Sequence, residues 1–316
     1  MTTVREIKQI TSAMMNIPKL HKDPNGPSPF ILLELPESKT SAKIYTFGAH
    51  VVSFEVDEDE KLWMSSLSVL DGSGPVRGGV PIAFPQFADE GPLTQMHGFA
   101  RESTWDVIEG SSSNVTLGLK DSDETRAKWP HSFSLLYEIK LLPKGIVLHL
   151  KVRNTDEKSF TFSGCLHTYF KFDDALGVAL HGFRKTAFAD KADRRKEKVQ
   201  DGPIEVKKEA DKSARDAGVK HGFVDRIHYN SPNNFQFIEC NSGKVLYNIC
   251  QSDSWTDTTV YNPYLGDKQG PTFPDFDDDG YLYTICCEPT LSERNAITLD
   301  PGSEWEGKQE ILVPEN

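Results

Sequence analysis

Three short stretches of the 316-residue chain concentrate side chains that could do chemistry. The first, VRGGVPIAFPQFADEGPLTQMHGFAR (76–101), carries Arg77, Gln95, His97 and Arg101 among glycines and prolines. The second, GCLHTYFKF (164–172), carries His167, and the third, TICCEPT (284–290), carries Glu288. Histidine titrates near neutral pH and serves as proton donor or acceptor. A carboxylate partly withdrawn from water has its pKa raised toward neutrality, which makes it a stronger base. Guanidinium groups offer parallel donors that match the oxygens of a phosphate ester, as a lysine does not. These types fit proton transfer on a polar substrate. Each also has a plainer reading. His167 could be a packed, hydrogen-bonded residue, Glu288 a strand-end acid at the surface, and Arg101 a partner of Glu102 or Asp106.

The elements that must hold these residues are strands. Residues 29–35, 42–56, 114–119, 132–142, 145–154, 159–164, 234–240, 244–250 and 281–288 are short runs, β-branched or aromatic, several of them alternating. Residues 141–145 (LLPKG) and 241–243 (NSG) read as hairpin turns, and 300–302 (DPG) as a turn before a last strand. If the strand alternates through 166–172, His167, Tyr169 and Lys171 share one face, and Leu166, Phe170 and Phe172 the other. Helical signals are few. SAMMNIPKL (12–20) could end a short helix, and Ser122 to Trp129 reads as one or two turns capped at Ser122 and stopped by Pro130. The charged stretch 184–220 reads as a solvated excursion between strands. The expected fold is all-β, a large antiparallel β-sandwich with few short helices. Residues 1–25 form an N-terminal extension and 26–316 a single domain.

Composition excludes several partners. There are 35 Lys and Arg against 47 Asp and Glu, a net charge of −12, which disfavours nucleic acid and anionic lipid. An anionic substrate would therefore need a local cationic cluster. Arg5, Glu6 and Lys8 interrupt any secretory signal, and no run is long and apolar enough for a membrane helix. Five cysteines without a CxxC suggest a reducing compartment, and the expected location is cytoplasmic. Cys286 and Cys287 are adjacent, with no Cys/His pair at metal-ligand spacing, so no metal is expected. DFDDDG (275–280) begins like an EF-hand loop, but its twelfth position is Cys286, so it reads as a solvated acidic turn. Neither GxxxxGK[ST] nor GxSxG occurs.

RGGVPIAFPQF, HGFAR with Trp105 after it, and LHTYF, in that order, resemble the hexose-6-phosphate branch of the aldose 1-epimerase (mutarotase) family. GFVDRIHYN (222–230), VYNPYLGDK (260–268) and CCEP resemble later segments of the same family, the last two with departures: Tyr261 and Tyr264 stand where tryptophans are usual, and no asparagine follows the Glu. The resemblance runs from about residue 40 to the end, leaving 184–220 outside it. It implies a galactose mutarotase-like supersandwich and interconversion of α and β anomers of an aldohexose 6-phosphate, glucose 6-phosphate foremost. It further implies His167 as the acid at the ring oxygen, Glu288 as the base at the C1 hydroxyl, and Gln95 and Asp225 as contacts to sugar hydroxyls, with His97 donating to a sugar hydroxyl, holding developing charge on the ring oxygen, or orienting His167. Arg77 and Arg101 become the candidate phosphate clamp, with Gly78 and Gly79 letting the backbone approach the ligand and Pro81 and Pro85 stiffening the loop. Asp225 could instead pair with Arg226. Because every charge change in ring opening is a proton transfer, no cofactor is expected. The expected partner is a small sugar phosphate, bound by a monomer. The alternatives are an epimerase of unphosphorylated hexoses and a non-catalytic sugar-phosphate-binding sandwich. Glycoside hydrolysis is disfavoured by the lack of a second carboxylate evidently partnered with Glu288.

Overall fold

The computed structural model describes residues 18–22, 29–209, 221–222, 224–262 and 274–315. Tyr264, the helix expected to end near residue 20 over most of its length, and residues 210–220 of the charged stretch lie outside these.

Two large antiparallel sheets dominate. The nine-stranded sheet runs through Val245–Gln251, Glu304–Leu312, Gly145–Asn154, Phe133–Leu142 and Asn114–Lys120 at its centre. The eight-stranded sheet runs from Lys196–Val199 through Ala187–Asp190, Val224–His228, Asp257–Asn262 and Thr284–Leu291 to Gly164–Leu166 and Ile82–Ala83. Tyr169–Lys171 also pairs with Thr284–Leu291. A five-stranded sheet begins with Leu20–His21 and holds Thr40–Tyr45 and His50–Val56. The expected all-β sandwich is what forms, and among the described residues Asp123–Lys128 is the one α-helix, joined by short 3-10 turns.

The core lies between the large sheets. Leu148 and Ile311 enter it from one, Ile82, Val260 and Ile285 from the other. Phe170 bridges them, its ring 5.1 Å from both Phe237 and Tyr247. The helix starts where Ser122 caps it: the Ser122 hydroxyl accepts from Thr125 N while the Thr125 hydroxyl accepts from Ser122 N, two donors satisfied at once.

Several expectations change in detail. The run 42–56 is a hairpin, not one strand. Gly48 and Ala49 both take positive φ between its arms, and a Cβ on Gly48 would stand 2.7 Å from Arg101 O. Residues 281–288 open with a 3-10 turn at Gly280–Leu282, and the strand that follows reaches Leu291. The charged stretch is no mere excursion. Ala187–Asp190 and Lys196–Val199 are paired strands of the eight-stranded sheet, with a 3-10 turn at Lys191–Asp193 between them. Ala187, Phe188 and Ala189 are consecutive, so no apolar–polar alternation marks this strand against the surrounding charge in the sequence. The acidic turn 275–280 is docked rather than solvated, Asp277 accepting from the backbone N and hydroxyl of Ser66.

Candidate active site

The strand Thr284–Leu291 is the spine of the site. All eight of its residues are buried. Register places Asp225, Tyr261, Cys286 and Tyr169 opposite one another across four strands, so they share one face of the sheet. Glu288, two residues beyond Cys286, points the same way. This is the outer face, and side chains roof it instead of water: Trp63 and Phe276 pack against Tyr169 and Cys286, while Phe87 and Ala88 pack by Cys165 and Ile227.

Glu288 therefore sits inside its strand, 1% exposed, and the surface strand-end reading is overturned. Burial pushes its carboxyl up to about 8, against a hydrogen bond from Cys165 Sγ to Oε2 at 3.4 Å that favours the ionised form; Asp225 adds to the rise. At neutral pH the proton rests largely on Glu288.

His167 lies beside it, Nδ1 3.4 Å from Glu288 Oε1. Its backbone N donates to Pro81 O, which ties it to the 76–101 stretch. Gly164–Leu166 ends just before it and Tyr169–Lys171 begins just after, so two short strands replace one continuous one. The expected sharing of faces nevertheless holds for the rings: His167 stacks on Tyr169 at 4.6 Å and 9°, and Phe170 and Phe172 go to the core. Burial holds the imidazole down to about 3, and the nearby charges of Arg77 and Arg101 press the same way.

His97 faces His167 edge-on, ring centroids 5.3 Å apart. Its Nδ1 accepts from Ala88 N at 3.1 Å. That bond fixes the tautomer, leaving Nε2 as the protonated, donating nitrogen. Burial first, then Arg101, keeps it neutral. His97 and Gly98 both have positive φ, and a Cβ on Gly98 would lie 2.2 Å from Phe84 O, so this turn requires glycine.

The cations arrive from three places. Arg77 Nη2 donates to Asp275 Oδ1 at 3.3 Å. Arg101 is buried, gives Nη2 to Met96 O at 2.7 Å, and has Nε 3.7 Å from Glu102 Oε1, the pairing its plainer reading anticipated. Lys191 Nζ stands 3.6 Å from Asp225 Oδ2, and its charge is felt at Glu288, His167 and His97. Asp225 is paired this way, while Arg226 turns to Gln200 Oε1 at 3.0 Å and lies over Phe188. A second carboxylate thus does share the face of Glu288, although the sequence showed none partnered with it.

Gly78 and Gly79 do not open the backbone to a ligand as expected. Their missing Cβ atoms would strike Trp63 O at 2.4 Å and Val51 O at 2.3 Å, so these glycines seat the loop on the neighbouring hairpin. Gln95 takes part through its backbone: its carbonyl accepts from Gly98 N and from Gln86 Nε2. The fully buried Gln86 is the loop's organiser, its amide also bonding Leu93 N and O. Gln86, Lys191, Asp275 and Tyr169 were missed from sequence as site-building residues, and only Tyr169 had a signal, its face shared with His167. A separate cavity of about 300 Å³, lined by Asp59, Lys61, Lys171, Asp174 and Lys244 among others, mixes both charge signs and includes none of these residues.

Comparison with known proteins identifies the family. The profile of the aldose 1-epimerase family matches residues 31–312, and so takes in the charged stretch. A Cenchrus ciliaris protein provisionally named glucose-6-phosphate 1-epimerase is 30% identical over 280 residues, 84% of this chain and 79% of its own. An Escherichia coli K12 protein of the same provisional name is 28% identical over 280 residues, 85% and 86% of the two chains. A Salmonella typhimurium crystal structure, provisionally titled a mutarotase, superposes with a TM-score of 0.76 at 24% identity, covering 98% of this chain and 100% of that one.

Proposed function

The chain belongs to the aldose 1-epimerase family and is an isomerase of that kind, and from this premise we propose that it interconverts the anomers of an aldohexose 6-phosphate, glucose 6-phosphate foremost. One observation carries the reading: the dry pair Glu288 and His167, 3.4 Å apart, lies within the field of three cations in a chain of net charge −12. The names of the relatives point to the same substrate.

The pair holds one proton between them at neutral pH. Glu288 protonated beside neutral His167, and Glu288 ionised beside imidazolium, carry the same proton count. Transfer from Glu288 to His167, once the 3.4 Å Nδ1···Oε1 contact closes to a hydrogen bond, converts the first into the second, which is the base-and-acid set that ring opening needs. Glu288 then takes the proton of the C1 hydroxyl while His167 protonates the ring oxygen. The C1–O5 bond breaks, the C1–O1 bond becomes the aldehyde, C1–C2 rotates, and closure on the other face returns both protons. His97, donating through Nε2, binds a sugar oxygen. Asp225 accepts from hydroxyls.

The substrate's phosphate adds to this. Arg77 and Arg101 both press the His167 proton off. A dianion held by them offsets that charge and favours imidazolium. The phosphorylated sugar would thereby raise the acid it uses.

A second reading, an epimerase of free hexoses, draws on the protein partners both arginines already have, Asp275 and Met96 O. Anomer exchange followed on glucose 6-phosphate and on glucose decides. A higher kcat/KM for the phosphorylated sugar is expected; equal values would retire the phosphate site, and binding without exchange would leave a sugar-phosphate-binding module.

A further inference from the structure

The roofed face holds more than an acid/base pair. Cys286 Sγ, a ring nitrogen of His167 and a Glu288 carboxylate oxygen all lie within 4.8 Å of one another. Cys286 and Glu288 are two apart on one strand and so project together, and His167 reaches over from its own segment. Spacing along the chain could not reveal this set, because tertiary pairing brings its members together.

Two features go beyond proximity. Nδ1 of His167 and Oε1 of Glu288 are both buried, and neither makes a hydrogen bond. Their separation of 3.4 Å is also what a tetrahedral ion requires. Nitrogen and oxygen ligands at about 2.1 Å from zinc stand roughly 3.4 Å apart. Cys165, on the other carboxylate oxygen, holds Glu288 in orientation as an outer partner of a metal ligand would.

We propose that His167, Cys286 and Glu288 form a binding site for a thiophilic divalent cation of the Zn2+ class, and that its occupancy switches off anomer exchange. The inhibitory half rests on the function proposed above; the binding half does not. Three protein ligands leave a fourth coordination position, which water completes. The thiolate selects zinc or cadmium over magnesium or calcium, which favour oxygen. The charges of Arg77 and Arg101 oppose any cation here and hold its affinity below that of a structural zinc site. The ion is therefore an inhibitor that competes with substrate. It takes the Nδ1 through which the pair exchanges its proton, and it ties up the carboxylate base.

The test uses the full chain after treatment with chelator. Titration with Co2+ should produce a thiolate-to-cobalt charge-transfer band. The band should disappear in Cys286→Ala and in His167→Ala, and persist in the double variant Cys240→Ala/Cys250→Ala, which removes the exposed thiols. Added Zn2+ should displace the cobalt and inhibit exchange, whereas Mg2+ should do neither. Loss of an outer partner alone weakens a site by about 10- to 100-fold, so Cys286→Ala should raise the inhibitory Zn2+ concentration by roughly 100-fold or more. No band in the wild-type protein, or an undiminished band in a folded Cys286→Ala, overturns the site. Should Cys286→Ala fail to fold, His167→Ala decides by the same spectrum. An active enzyme that shows the band yet ignores Zn2+ overturns the inhibitory role. Because the band requires no turnover, failure of the epimerase reading would leave it in place.

Discussion

Phe133–Leu142 in the nine-stranded sheet and Thr284–Leu291 in the eight-stranded sheet both face the common core, but their other faces differ. Along the first, every second residue is buried and those between are half-buried or exposed. Along the second, all eight are buried. Water lies against one sheet, while Trp63, Phe87 and Phe276 roof the other. A wet face leaves a carboxylate at its ordinary pKa. The dry face makes Glu288 a carboxyl that gives up its proton only near pH 8. One sheet is thus a support, and the other stores unfavourable burial where chemistry needs it.

Substitution on the dry face should break function and spare the fold. Glu288→Gln is expected to lower kcat about 100- to 10,000-fold, read by anomer exchange. The same variant should be the more stable at alkaline pH. The folded chain holds the Glu288 proton more tightly than the unfolded chain, so between the ordinary 4.5 and about 8 rising pH weakens the wild type. Denaturant midpoints at several pH values should show that slope in the wild type and a shallower one in the variant. In kinetics, kcat/KM should fall above about pH 8, where the pair loses its shared proton. A profile that rises through that range would contradict the one-proton pair.

Substitution under the wet face should do the reverse. Leu148 is fully buried, and Leu148→Ala should cost about 2–5 kcal/mol by denaturant unfolding with kcat unchanged in the folded fraction. A large fall in kcat would mean the sheets are coupled rather than divided in role.

The cations sharpen the comparison further. Charge-assisted hydrogen bonds contribute about 1.5–3 kcal/mol each, so Arg101→Ala or Arg77→Ala should raise KM for glucose 6-phosphate roughly 10- to 100-fold. KM for glucose should move far less; equal shifts would retire the clamp. Lys191→Ala should act in the same direction but more weakly, since an ammonium lacks the parallel donors with which a guanidinium matches a phosphate. The smallest effect belongs to the wet face itself. Leu136 is 38% exposed, and Leu136→Ser should change stability by no more than about 0.5 kcal/mol and activity not at all.

Legibility follows the same division. The strands 132–142 and 145–154, with the turn between them, were readable because alternation and turn residues are local signals. Ser122 as a helix cap was readable for the same reason. The dry face was read less well. The hairpin within 42–56 was hidden because Ala49, not a typical turn residue, takes one of its positive φ positions. Lys191 was hidden in a charged stretch whose strands, AFAD and KEKV, are too short and irregular to show a period of two.

By itself, then, the sequence determined the strand class, the local turns and which side chains were chemically capable: His167, Glu288 and the arginines. Only the tertiary structure decided that Glu288 is dry, that Cys286 and His167 meet it, and that Asp275 pairs with Arg77 and Lys191 with Asp225. Alternation has a period of two and is written in neighbouring residues. Register between distant strands, and what covers a sheet's second face, depend on pairings over long separations that no local pattern encodes.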